Sequence, residues 1–458
     1  MYFRDTIAAI STPPGEGGLA VIRLSGDMAV LFASRLFQPV KGSVGQFVTH
    51  TTHYGKILDA AGNVIDDGMM TLMLAPRSYT SEDTAELTCH GGIHISSLVL
   101  KAALNAGCRL AEPGEFTYRA FANGRIDLTQ AEAVADLIHA RTDFAVTAAR
   151  RQLEGGLSEY ISRLRSDILS SLAAVEVTID FSDEVGDLDR AVLEQNLSQT
   201  LRELQKFSAS YQHGRLLREG LRIVILGRPN VGKSSLLNRL LHTDRAIVTN
   251  LPGTTRDILE ESKSILGIPV VLVDSAGIRD SIDLIEQIGM ERAVSACNNA
   301  DVVLIVLDAS EGITSEDRMP IEIAVASGAT VVVAFNKCDI LSNTETTNLN
   351  SNLLEDRTAL MVSAKTGDGI DILERALIPQ QLLEASESVM ITNLRHYQAL
   401  LRAEEALRDA IITCTSDLPP DFISVDLREV LAQLGSITGE NIYDELLHRI
   451  FHDFCVGK

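Results

Sequence analysis

Gly227-Arg228-Pro229-Asn230-Val231-Gly232-Lys233-Ser234 follows the apolar run Arg222 to Leu226 and precedes the helix-like Ser235 to Leu241. It has the form G-x-x-x-x-G-K-[ST] between a strand and a helix, which is the context a phosphate-binding loop requires. Glycines let successive backbone N–H groups line a concave anion nest. The start of a helix adds its partial positive charge. Lys233 is expected to reach the outer phosphates of a nucleotide and Ser234 to offer its hydroxyl to Mg²⁺. Asn230, Val231, Gly232 and Ser235 are expected to complete the nucleotide contacts of the loop.

Working outward, strand candidates recur at Val270 to Val273, Val302 to Leu307, Val331 to Phe335 and Ala359 to Val362, with helical stretches between them. Fully apolar strands alternating with helices predict a parallel sheet covered on both faces. Polar motifs sit at the strand ends, in the order a GTPase needs. Thr254-Thr255 fall in the first loop after the P-loop helix, where a Thr hydroxyl completes a Mg²⁺ shell. Asp274-Ser275-Ala276-Gly277 follows the second strand; Asp274 is placed to hold the metal and the Gly277 N–H to meet the γ-phosphate. Asn336-Lys337-Cys338-Asp339 supplies a carboxylate, Asp339, for guanine N1 and N2. Ser363-Ala364-Lys365 supplies a backbone N–H for guanine O6. Ligands at the carboxyl ends of parallel strands are the rule for open α/β sheets. Ile278 stands where many GTPases carry the Gln that orients the attacking water. An apolar side chain cannot orient water, so Asp280, Asp283 and Glu286 are the polar candidates to take over.

The flanks have a different texture. Residues 1–121 mix short apolar runs (Leu19 to Leu24, Met69 to Leu74) with Gly-rich turns and a helix-like Ser97 to Asn105, which predicts an α+β domain. Residues 122–216 read as helices. Leu153, Leu157, Ile161, Leu164, Ile168, Ser171 and Val175 keep one face, and Leu193, Leu197, Leu201 and Leu204 form a second stripe. Residues 381–458 return to helical texture around Leu400, Leu407 and Ile411. Two amphipathic blocks each need a partner. The expected architecture is therefore one helical domain interrupted by an inserted α/β domain at 217–380.

The chain has 458 residues and carries 40 Lys+Arg against 62 Asp+Glu, a formal net charge of −22. That excludes a protein held on nucleic acid by bulk positive charge. The longest aliphatic run, Val302 to Leu307, is far short of the ~20 residues of a membrane span. The six cysteines are scattered, with no Cys-x-x-Cys pair. With no signal-like apolar core at the N-terminus, reduced thiols and a cytoplasmic protein are expected.

Four segments identify a family resemblance: Thr12-Pro13-Pro14-Gly15 with Gly17-Gly18, Pro113-Gly114-Glu115-Phe116, Gly253-Thr254-Thr255-Arg256-Asp257, and Phe454-Cys455-Val456-Gly457-Lys458. Together they resemble the MnmE (TrmE) tRNA-modification GTPases over the whole chain. The resemblance implies a homodimer built on N-terminal domains that bind a tetrahydrofolate derivative, in its 5-formyl or 5,10-methylene form. It implies an FAD-containing MnmG partner, and a one-carbon transfer leading to an aminomethyl or carboxymethylaminomethyl group at C5 of the wobble uridine of certain tRNAs. It also implies GTP hydrolysis stimulated by K⁺ when two G domains meet. By resemblance, Asn230, Thr249, Leu251 (through its carbonyl) and Thr254 match K⁺ positions, Ser234 and Thr255 match Mg²⁺ positions, and Glu286 matches the catalytic acid. Asn250, Pro252 and Gly253 complete the nucleotide-contacting switch. Ser275 stands where the family usually has Thr. Arg23, Glu86, Arg125 and Lys458 match the folate site, and Cys455 lies beside it with an expected part in the uridine chemistry. A ribosome-assembly GTPase without base chemistry would share the G motifs but has no need of these N- and C-terminal segments. A folate-dependent one-carbon transferase with the G domain as an appendage is a further alternative.

Overall fold

A computed structural model of the protein describes residues 5–140, 142–181, 184, 186–242, 260–274, 293–341, 358–384, 390–416, 418–440, 444–452, 454 and 457. The chain divides into two compact units. One comprises Met1–Ala135, Gln152–Leu193 and Asp409–Lys458, the other Asp136–Arg151 and Glu194–Arg408.

In the first unit, β1 (Ile7–Ile10), β2 (Leu19–Ser25), β3 (Phe37–Pro39), β4 (Thr51–Leu58), β5 (Val64–Met73), β6 (Thr84–His90) and β7 (Arg109–Leu110) form one sheet in the order β3-β4-β5-β6-β2-β1-β7. All neighbours are antiparallel except β1 and β7. Side chains alternate between sheet faces. Ala20, Ile22 and Leu24 of β2, with Ala85, Leu87 and Cys89 of β6, pack under helices Ala29–Leu36 and Ile93–Ala106. The alternate positions, Arg23 and Glu86 among them, therefore fall on the opposite face. The expected strand and helix pieces of this region lie within β2, β5 and the second helix, although β5 ends at Met73 rather than Leu74.

The helical part of this unit includes Gly156–Asp180 and Pro420–Thr438, which pack together. The predicted stripe is buried from Leu157 through Val175. Each such aliphatic side chain contributes about 1.5–3 kcal/mol of burial. Leu153, expected as its first member, instead ends the preceding helix Asp143–Leu153. Gly155 then turns the chain at φ +94°, a conformation that favours glycine and interrupts the helix.

In the second unit, β8 (Leu221–Leu226), β9 (Glu260–Ile265), β10 (Ile268–Asp274), β11 (Val302–Asp308), β12 (Thr330–Asn336) and β13 (Thr358–Met361) form a sheet ordered β13-β12-β11-β8-β10-β9. It is parallel except for the β9–β10 hairpin. The two faces separate cleanly. Ile223, Ile225, Leu304, Val306, Val332 and Ala334 join one core, and Val224, Leu226, Val303, Ile305, Leu307, Val333 and Phe335 join another. β9 was not anticipated, because Glu260-Glu261-Ser262-Lys263-Ser264 is polar. It is an edge strand, where charged side chains are tolerated. Leu266 and Gly267 (φ +51° and +84°) close the hairpin with the positive angles a two-residue turn of this kind needs.

Among the described residues no helix is long and apolar enough to cross a membrane.

Candidate functional site

The loop after β8 is shaped by residues that leave no room for larger ones. At Gly227 an added Cβ would stand 2.3 Å from the Val306 carbonyl oxygen, and at Gly232 (φ +93°) 2.3 Å from Asn336 Nδ2. Asn230 adopts φ +64°, a region Asn enters more easily than most side chains. Helix Lys233–His242 starts directly afterwards. The buried Lys233 side chain lies along the loop, its Nζ donating to the carbonyls of Gly227 and Arg228, both at 2.8 Å. Ser234 and Ser235 are exposed in the first turn. Arg228 is tied to Glu311 and to the fully buried Asp317 (3.3 Å). Burial alone would lower the Arg228 pKa, but these carboxylates hold it above its usual value.

The base-recognition motifs meet this loop. Asn336, at the end of β12, donates from Nδ2 to the Val231 carbonyl (2.9 Å) and accepts the Ala364 N–H at Oδ1 (2.9 Å). One buried amide thus joins the phosphate loop to the segment expected at guanine O6. Lys337 (φ +68°) donates to Asp308 Oδ2 at 2.6 Å. Burial would raise the Asp308 pKa, but hydrogen bonds from Lys337 and Ser310 bring it below the ordinary carboxylate range. Ser363 Oγ donates to Asp339 Oδ1 (2.7 Å), orienting that carboxylate. Arg239, on the P-loop helix, donates from Nε to the Ala364 carbonyl (3.0 Å) and from Nη2 to the Lys365 carbonyl (2.6 Å).

Sequence reasoning named Asn230 to Ser235, Asn336, Lys337, Asp339 and Ser363 to Lys365, and the fold gathers them at one edge of the sheet. It missed Asp308, which follows an apolar run, and Arg239, which sits in an ordinary helical pattern; no spacing rule marks either. The backbone of Asp274 ends β10, paired with Ile225 of β8. Thr249, Asn250, Leu251, Pro252, Gly253, Thr254, Thr255, Ser275, Ala276, Gly277, Glu286, Cys455 and Lys458 lie outside the described residues, as do Ile278, Asp280 and Asp283.

A second cluster lies on the face of the first unit's sheet turned away from its helices. Arg23 and Glu86 are direct partners across β2 and β6, with Arg23 Nε donating to Glu86 Oε1 at 2.9 Å. The Arg23 guanidinium lies 5.3 Å from the Tyr79 ring centroid and 5.6 Å from that of Phe116. Arg125 reaches the same tyrosine, 5.1 Å from its ring centroid, and donates to its carbonyl at 2.7 Å. Burial pushes the Tyr79 hydroxyl above its usual pKa. Arg23 Nη1 is buried and has no hydrogen-bond partner among the described residues. A partly buried cation with a buried spare donor, a carboxylate and an aromatic ring suit a planar ligand bearing acceptors, donors and negative charge. The chain's far end arrives nearby. Ser11 Oγ donates to the Gly457 carbonyl (3.0 Å), while the neighbouring Ala9 pairs with Arg23.

Two family models match: one described as the N-terminus of the GTP-binding protein TrmE, over residues 6–125, and one described as the MnmE helical domain, over residues 128–455. The chain is 43% identical over 461 residues to the tRNA modification GTPase MnmE of Bacillus subtilis (strain 168), covering 99% of this chain and 100% of that one. It is 45% identical over 462 residues to the protein of the same description from Levilactobacillus brevis, covering 99% and 98%. Among solved structures, translation elongation factor SelB from Methanococcus maripaludis is 22% identical and covers 37% of this chain and 34% of that one, with a TM-score of 0.28. The near-complete match to these relatives, the two family models placed end to end, and a P-loop unit set within a helical chain establish that this chain belongs to the MnmE family of tRNA modification GTPases.

Proposed function

We propose that the chain is a K⁺-stimulated GTP hydrolase which, with an FAD-containing MnmG-like partner, modifies C5 of the wobble uridine in certain tRNAs. The observation that carries this reading is the Asn336 amide, which links the phosphate loop at Val231 to the base-recognition segment at Ala364 within a chain of this family. Loop and base segment held in one register are what discrimination of guanine during phosphate chemistry requires. The nest around residues 227–233 and the Lys233 ammonium would cradle the phosphates. Ser234, Thr255 and Asp274 would serve Mg²⁺; Asn230, Thr249, Leu251 and Thr254 would serve K⁺. Glu286 would orient the water that Ile278 cannot. Electrostatic stabilisation by a cation would replace an arginine finger.

Arg23, Glu86, Arg125 and Lys458 would hold a tetrahydrofolate derivative, which when bound supplies the one-carbon unit. Arg23 Nη1, without an acceptor among the described residues, supports that assignment, because a buried guanidinium N–H without an acceptor is costly and a ligand would relieve it. Cys455 would stand beside it. We take residues 1–121 as the folate-binding and dimerisation domain, 122–216 and 381–458 as the helical domain, and 217–380 as the G domain of a cytoplasmic homodimer.

Mass spectrometry of tRNA nucleosides from cells lacking the protein tests the reading. Loss of the C5 substituent on wobble uridines is expected, with restoration by the intact gene but not by a Lys233→Ala variant. Unchanged wobble uridines would favour a ribosome-assembly GTPase. Restoration by Lys233→Ala would favour a one-carbon transferase that does not use its G domain.

A further inference from the structure

Guanine recognition through a backbone N–H depends on which way a peptide plane faces, and two peptide planes after Ser363 are held by a side chain from another element. Arg239 lies on helix Lys233–His242, 125 and 126 residues before its partners. Its Nε holds the Ala364 carbonyl and its Nη2 the Lys365 carbonyl. In a trans peptide the C=O of one residue and the N–H of the next point in opposite directions. Fixing the Ala364 carbonyl on Arg239 therefore fixes the direction of the Lys365 N–H. The preceding amide has its own acceptor, since the Ala364 N–H donates to Asn336 Oδ1. The following one is also engaged, since the Thr366 N–H donates to Ser363 Oγ. Among the described residues, the amide whose direction Arg239 sets is thus the one of these three left to meet a base.

We infer that Arg239 is a positioning residue for guanine selection, aiming the Lys365 N–H at O6 of the base. A guanidinium suits the task because its planar fork presents parallel donors to two carbonyls at once, which a lysine cannot reproduce. Arg239 also sits six residues after Lys233 on the same helix, so the base-reading loop is referenced to the phosphate-binding lysine by a single rigid element. The inference rests on the guanine-nucleotide reading of this site.

Titration calorimetry with the full chain separates the possibilities, using GDP and the diphosphate of 2-aminopurine riboside, which keeps the 2-amino group but has no O6. Arg239→Ala is expected to weaken GDP by about tenfold, the scale of one hydrogen bond lost or misdirected. The same variant is expected to leave the O6-lacking diphosphate within about twofold of the unmodified chain. Arg239→Lys, which keeps the charge but has a single donor nitrogen in place of the two-nitrogen fork, is expected to fall between the two for GDP. Equal weakening of both nucleotides would overturn the inference, because it would make Arg239 a general support of the loop. Unchanged GDP binding in both variants would overturn it as well. If the unmodified chain shows no preference for GDP over ADP, the failure belongs to the guanine reading itself, and Arg239 loses its assigned role with it.

Discussion

Glu115 accepts hydrogen bonds from Arg109 (3.1 and 2.5 Å), from the fully buried Arg119 (3.0 Å) and from the Glu112 N–H (2.8 Å). Burial alone would raise its pKa, but these donors carry it below the usual glutamate value. A carboxylate harder to protonate when folded than when unfolded stabilises the fold at pH values above the ordinary pKa of about 4.3, and the contribution disappears as pH falls through the folded value. Glu115→Gln is therefore expected to lower the unfolding midpoint most at pH 6–7, with the gap to the unmodified chain closing below about pH 4. Thermal unfolding from pH 7 to pH 3 measures this; a gap constant with pH would show that charge is not the cause. At this scale the sequence was readable where backbone geometry restricts residue type. Gly227, Gly232 and Asn230 occupy conformations or spaces that exclude most side chains, so the motif shows in the letters. It was unreadable where a common residue acquires a task from distant neighbours. Arg119, Asp308 and Arg239 are in this class, and Arg23 and Glu86 are 63 residues apart until β2 and β6 set them opposite each other.

Among the elements, the β9–β10 hairpin depends on a contact outside the sheet. Phe144, on helix Asp143–Leu153, lies against its turn, with the ring so close that a Cβ on Gly267 would stand 2.6 Å from Cε2. The ring also joins the core beneath β8 and β10. Phe144→Ala is expected to cost about 1–3 kcal/mol, less than a full core truncation because the ring is only partly buried. Hydrogen exchange should accelerate first in the β9 amides; protection unchanged there would show that the sheet alone holds the hairpin. The central strands were legible because both faces are covered and nearly every position is apolar, as from Val302 to Leu307 of β11. The polar edge strand β9 was not, since pairing rather than composition makes it a strand. The helix break at Gly155 was missed for the opposite reason: the apolar spacing continues through Leu153 and Leu157 while the backbone turns.

For the molecule as a whole, the site motifs converge, and the two described arginines nearest the phosphate loop are both engaged elsewhere. Arg228 is engaged by Glu311 and Asp317, and Arg239 by the Ala364 and Lys365 carbonyls. With Ile278 in place of a water-orienting residue, turnover in our reading needs a small cation and a second copy of the chain. GTP hydrolysis by the purified protein is expected to rise at least about tenfold when K⁺ replaces Na⁺ at equal ionic strength, on the scale of one charge-stabilising contact in a transition state. Equal rates in the two salts would remove the cation from the mechanism. The net charge of −22 leaves any tRNA contact to a restricted basic surface or to the proposed partner.

The stitch between the two ends of the chain bears on how the protein is engineered. Gly457 (φ +94°) is pressed so closely on Ile10 that a Cβ there would stand 2.4 Å from its carbonyl oxygen, and Ser11 holds the Gly457 carbonyl. An affinity tag fused behind Lys458 would tug on β1 through that stitch. The exposed turn at Asp59–Asn63, where Gly62 has open space around it, is the safer place for an epitope or fluorophore.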